Sequence, residues 1–221
     1  MDAQNLLILT VYIIVVLYVF YKAHQSLDTQ VVIDPDKDFI NEQIEKNGLK
    51  DIVDINFSKL RPSYQLDDLK TIPITIINKS DKGEAPSLCS LLVDWDQSSL
   101  TDIEDVTGRV ILVTKGLTEV PQQQAKSVLA PGQKLQEELS DAKDLSKPLF
   151  KTNKLKKAAQ TGKPFFLRIF LLVSYPGEIS KADDIGKKGR TCFVRCKLTP
   201  KKLRWSKALV IAFKPRKPKN A

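Results

Sequence analysis

The run LLILTVYIIVVLYVFY, Leu6 to Tyr21, limits what this chain can fold into more than any other stretch. It holds sixteen residues with no charge and a single Thr. As a helix it measures about 24 Å at ~1.5 Å per residue, and Asn5 and Lys22 extend it toward the ~30 Å of a hydrocarbon core. Tyr12, Tyr18 and Tyr21 suit the headgroup level. A cleaved signal peptide and a buried core element are the competing readings. Signal peptides carry a basic amino-terminal region, whereas Asp2 is the only charged side chain before this run, and KAHQSL after it offers no small-x-small cleavage site. The sequence therefore predicts an uncleaved anchor over residues 1–22, held in the lipid bilayer through Leu6–Tyr21.

Sidedness follows from the cations. No Lys or Arg precedes the span and Lys22 follows it at once, so the positive-inside rule places the body in the cytoplasm, with an extracytoplasmic body as the alternative. Three cysteines, Cys89, Cys192 and Cys196, form no disulfide-rich pattern and agree with a reducing compartment.

Charge is divided unevenly. Residues 147–221 hold 21 Lys and Arg against three acids, and residues 1–146 hold the other 14 against 23, so +18 and −9 give the net +9. Such a chain complements itself or offers opposite faces to different partners.

Residues 23–70 read as a stalk or linker with a short helix near 35–47. In DPDKDFINEQIE the acids Asp34, Asp36, Asp38 and Glu45 have the spacing of a calcium loop, but Phe39 stands where that loop needs Gly. The simpler reading makes Asp34 a helix cap and Pro35 the first helical residue, with Gly48 closing the helix after Asn47 and Phe39, Ile40 and Ile44 on its apolar face. No metal and no cofactor is expected.

From Thr71 the texture is β. TIPITIIN, LCSLLVDW, RVILVT and FFLRIFLLVSY are strand signals, and TCFVRCKL alternates with Cys192, Val194, Cys196 and Leu198 on one face. LRWSKALVIAF, residues 203–213, reads as a last strand. Turns built on Gly, Pro and Asn, with no βαβ rhythm, predict a mainly β, antiparallel sandwich with minor helices over residues 71–213. The order ITIINKS, LLVDW, VLAPGQKL, FFLRIFLLVSY resembles immunoglobulin-like modules of the CARDB or fibronectin type. The matching residues are the Asn-ended strand Ile74–Asn78 and the Leu-x-Pro-Gly turn Leu129–Gln133. The resemblance implies adhesion or scaffolding rather than catalysis. Residues 133–161 depart from it. Leu135, Leu139 and Ala142 align at helical spacing, TNKLKKAAQTG offers Thr152 as a cap and Gly162 as a terminator, and a helical insertion is expected there.

Catalytic signatures are missing from the sequence. The single histidine, His24, lies beside the membrane, and no phosphate loop, dinucleotide fingerprint or nucleophile elbow occurs. Asp94 and Asp96 flank Trp95 but lack catalytic partners. Cys192 and Cys196 lie four apart on a strand, about 13 Å, too far to bridge; a bridge from Cys89 to one of them stays open. The remaining signal is basic: Lys201, Lys202, Arg204 and Lys207, then Lys214, Arg216, Lys217 and Lys219 in a flexible tail over 214–221. A solvated tail, anionic lipid and an acidic protein surface are the competing explanations. Nucleic acid is disfavoured because Trp205 alone offers a stacking ring. The sequence as a whole reads as a non-enzymatic, single-pass accessory or assembly protein that presents a β-sandwich to protein partners in a membrane complex. The alternative is a tethered nucleic-acid-binding or calcium-responsive module.

Overall fold

The computed structural model describes residues 3–81, 88–103, 106–113, 126–141, 147–174 and 190–203. Helix α1 (Ala3–Asp28) carries the apolar run. None of its stretch Gln4–Lys22 is buried against the rest of the protein, so its apolar surface faces outward all round, as a lipid-facing helix does. Nineteen residues make about 28 Å, enough to cross a bilayer. The one aliphatic hydroxyl within the run is satisfied, because Thr10 Oγ1 donates to the Leu6 carbonyl at 2.8 Å.

The expected stalk is a correction. Helix α1 runs to Asp28, and strand β1 (Gln30–Pro35) begins after the single residue Thr29. Val31 and Ile33 are buried, and burying them requires β1 to join the sheet rather than hang beneath it. It pairs antiparallel with β10 (Arg190–Lys202), Val31 opposite Lys202 and Pro35 opposite Leu198, and with the short β3 (Tyr64–Gln65) on its other edge. Residues 30–70 therefore belong to the folded body.

This pairing also moves the first helix of the body. Asp34 and Pro35 are held in β1, so the cap of α2 (Lys37–Lys46) is Asp36, whose carboxylate accepts from the Phe39 amide at 3.1 Å. Asn47 and Gly48 (φ 62°) end the helix, and Ile40 and Ile44 are buried as its spacing implied. Helix α2 lies beside the half of β10 that β1 does not reach. There Asn47 Nδ2 donates to the Phe193 carbonyl at 3.1 Å and the Asp36 amide to the Lys197 carbonyl at 2.9 Å. An open sheet edge is thereby covered.

The remaining elements are β2 (Val53–Asn56), β4 (Ile72–Asn78), β5 (Ser90–Thr101), β6 (Thr107–Leu112), β7 (Ser127–Leu129), β8 (Lys134–Asp141), α3 (Thr152–Thr161) and β9 (Phe165–Ser174). Hydrogen bonding runs without a break through β2-β4-β8-β6-β5-β9-β10-β1-β3, with β7 beside β5, in one curled, antiparallel, sandwich-like sheet. The core is its concave filling. Leu91, Val93 and Leu100 of β5 lie opposite Val173, Leu171 and Leu167 of β9, Trp95 and Ile169 fill the same core, and Val194, Cys196 and Leu198 of β10 follow the alternation read from the sequence.

Two further corrections concern 133–161. Lys134–Asp141 is a strand, not a helix, because β4 and β6 both present edges that it completes. Backbone pairing on two sides outweighs the helical preference of Glu, Lys and Gln. Leu139 is buried beside half-buried Leu135 and Glu137, all on one face. Helix α3 is present, but Thr152 is its first residue rather than its cap, and Thr152 Oγ1 hydrogen-bonds Asp67. Gly162 (φ 70°) ends it in the left-handed conformation that Gly adopts most readily. The strand expected over 203–213 lies outside the described residues apart from Leu203.

The two motifs that suggested an immunoglobulin-like module meet in space. Asn78 is fully buried. Its Nδ2 donates to the carbonyls of Cys89 (2.8 Å) and Leu129 (3.1 Å), and its Oδ1 accepts from Ser80. Its backbone pairs with the turn, Gly132 N to Asn78 O at 3.0 Å and Asn78 N to Gln133 O at 3.0 Å. One side chain thus ties the end of β4, the start of β5 and the β7–β8 turn together.

Candidate interaction surfaces

Among the described residues, the sequence-predicted calcium-loop acids do not converge. Asp34 lies on β1 and pairs with Lys201, Asp36 caps α2, Asp38 stands in its first turn, and Glu45 near its end pairs with Lys50 at 2.9 Å. Strand and helix separate these carboxylates. Among the described residues no group of three or more His, Cys, Asp or Glu is placed to hold a metal. The Asp36 carboxyl is held below its ordinary value, chiefly by the Lys197 ammonium at 2.9 Å and then by the Phe39 amide.

Asp94 and Asp96 build a bulge. The register of β5 on β9 shifts between Asp94 and Ser99. The buried Asp94 carboxylate accepts from the amides of Asp96 (3.0 Å) and Gln97 (3.3 Å), while Asp96 pairs with Arg109. Ser98 Oγ closes the bulge by donating to Asp94 O at 2.7 Å and accepting from the Phe170 amide at 3.1 Å. Below the bulge β5 pairs with β7, and above it with β6, so the bulge passes the strand from one neighbour to the other.

All three cysteines are free and buried. Burial pushes the Cys196 thiol up to about 12 and raises Cys192 as well, so neither is a nucleophile at neutral pH. A pH dependence follows. Above the ordinary thiol value of 9.0 the unfolded chain releases its Cys196 proton while the folded chain keeps it. The unfolded state then binds fewer protons, and stability falls as pH rises from about 9 toward about 12. In chemical denaturation, Cys196→Ala should lose less stability across that window than the natural chain. Equal losses would contradict the buried thiol as a source.

Of the predicted basic contacts, Lys201 and Lys202 lie at the end of β10, and Lys201 is engaged by Asp34. Lys202 sits at the root of α1, sharing a small recess with Gln30, Leu66, Lys156 and Gln160. Here the Leu66 amide donates to the Thr29 carbonyl at 3.0 Å, which fastens the helix exit to the body. Arg204, Lys207, Lys214, Arg216, Lys217 and Lys219 lie outside the described residues.

A cleft of about 620 Å³ opens between the β3 region and β4–β8. Arg61 and Asp68, paired at 2.8 Å, form one wall and Glu137 part of the other. Burial alone raises the Glu137 carboxyl above its ordinary value. The sequence held a signal for this cleft, since an acid on the apolar face of a strand is out of place unless the strand borders solvent. Compared with known proteins, the chain matches no family model, no curated protein and no solved structure.

Proposed function

We propose that the protein is a non-enzymatic, single-pass membrane accessory whose immunoglobulin-like body presents an interaction surface at a fixed height above the bilayer. The observation that carries this reading is the junction. One residue, Thr29, separates a lipid-facing helix from a strand hydrogen-bonded on both edges, leaving no linker for the body to swing on. A rigid mount suits a component that must meet a neighbour at a set distance. The meeting of the Asn78 strand end with the Leu-x-Pro-Gly turn supports the immunoglobulin-like reading. Lys22, directly after the span, supports a body facing the cytoplasm.

In a mild-detergent extract of its own membranes, the chain should elute in a discrete assembly larger than its own micelle. Elution only as a lone protein in a micelle would count against the accessory role. For orientation, protease added to intact cells should leave the body whole and digest it only after lysis; digestion before lysis would place it outside.

A further inference from the structure

The convex side of the sheet carries an ordered row of cations. Across β6, β5, β9 and β10, Arg109 is opposite Ser99, Ser99 opposite Arg168, and Arg168 opposite Arg195, so all four stand on one face. The next row reads Thr107, Thr101, Phe166 and Lys197. Arg109 is paired with Asp96 and Lys197 with Asp36. Between them, Arg168 and Arg195 face one another with no carboxylate on either among the described residues. Directly opposed like charges weaken a strand pair. Stacking supports both side chains: the Arg168 guanidinium lies 3.7 Å from the Phe193 ring centre and that of Arg195 3.8 Å from Phe166. Stacking orients the two forks but does not neutralise them.

We propose that this face docks an acidic segment of a partner protein, with Arg168 and Arg195 gripping its carboxylates and the part-exposed Phe193 receiving an apolar side chain. A guanidinium centred over a ring is held in place by it, and the planar N–H edge of an arginine matches a carboxylate in two-point contact. Position argues against lipid. Lys202 pairs with Val31 beside the root of α1, and Arg195 lies seven residues back along β10, so a strand rising from the membrane at that root sets it about 23 Å away at ~3.3 Å per residue. Surface attraction fades over about 8 Å at physiological salt. Geometry argues against nucleic acid, because one face of each ring is taken by an arginine, and the part of Phe193 left exposed admits an apolar side chain rather than a stacked base.

The inference rests on the interaction-domain reading, and its test separates the two. With the full chain in detergent, fluorescence anisotropy is measured with an oligoglutamate peptide of about a dozen residues bearing one Phe. The natural chain should bind, and Arg168→Gln with Arg195→Gln should weaken binding by about tenfold, with unchanged thermal unfolding. Arg168→Lys with Arg195→Lys keeps the charge and removes the fork, and should fall between the two. Lys214→Gln with Lys217→Gln should change binding by less than about twofold. Equal weakening by the Arg→Gln and tail variants would overturn the proposal. So would tighter binding of a single-stranded RNA of similar length, binding of phosphatidylserine vesicles that depends on the two arginines, or no peptide binding at all. If the extract still shows the larger assembly while the Arg→Gln variant remains in it, this face is wrong and the interaction-domain reading stands. If the natural chain elutes alone, that reading itself fails.

Discussion

Asn78→Leu should destabilise the body by about 4 kcal/mol, a large share of the 5–15 kcal/mol that holds an ordinary domain together. The substituted side chain fills much the same space, so the loss is one of hydrogen bonds rather than volume. Cys89 O gains the Ser80 hydroxyl, 3.1 Å away and released from Asn78 Oδ1, but Leu129 O loses the Asn78 amide and the Ser80 amide loses Asn78 Oδ1. Each buried group left without a partner costs about 1–3 kcal/mol, and loosening of the turn at Gly132 adds to it. Apolar burial of the new side chain recovers part of this. Ser80→Ala, which leaves both Nδ2 bonds of Asn78 in place, should cost about 1–2 kcal/mol. Urea denaturation midpoints with an unchanged slope would check both. A loss under about 1 kcal/mol for Asn78→Leu would show that the clamp is not what joins β4, β5 and the β7–β8 turn.

The same residue shows what could be read beforehand. Asn78 and the Leu129–Gln133 turn stood out as short motifs, yet nothing in their order said that they touch; that contact spans 51 residues of chain. Period-two burial was legible wherever one face is wet, as in TCFVRCKL, where inside and outside positions came out as spaced. Element ends were not. Asp34 and Asp36 are both good caps, and only the pairing of Pro35 with Leu198 decides between them. QKLQEELSD carries helix formers and helical spacing, and it became a strand because two strand edges distant in sequence were waiting for it. The stalk was misread for a related reason: a polar stretch followed by β-branched residues looks alike whether it dangles or pairs. The Arg168–Arg195 face was also hidden, since opposition across strands depends on register, and no local pattern fixes the register of β9 on β10.

Membrane insertion carries the largest effect. In Gln4–Lys22 the described surface is apolar on every side and none of it is covered by the body. Leu, Ile, Phe and Val each favour the bilayer centre by about 0.3–0.6 kcal/mol, whereas an Arg or Asp there costs about 2.5–3.5 kcal/mol. Ile13→Arg with Leu17→Asp therefore adds about 6 kcal/mol against insertion and should convert an integral protein into one released from the membrane. The body lies outside the bilayer and shares none of these contacts, so it should remain folded in that variant.

Alkaline carbonate extraction of membranes bearing the full chain is the most direct test. Peripheral attachments dissolve in it, including any that depend on Lys or Arg, whereas a crossing helix does not. The natural chain should stay in the lipid pellet and the Ile13→Arg, Leu17→Asp variant should pass to the supernatant. Recovery of the natural chain in the supernatant would contradict a helix that crosses the membrane, and with it the rigidly mounted body on which the functional reading depends.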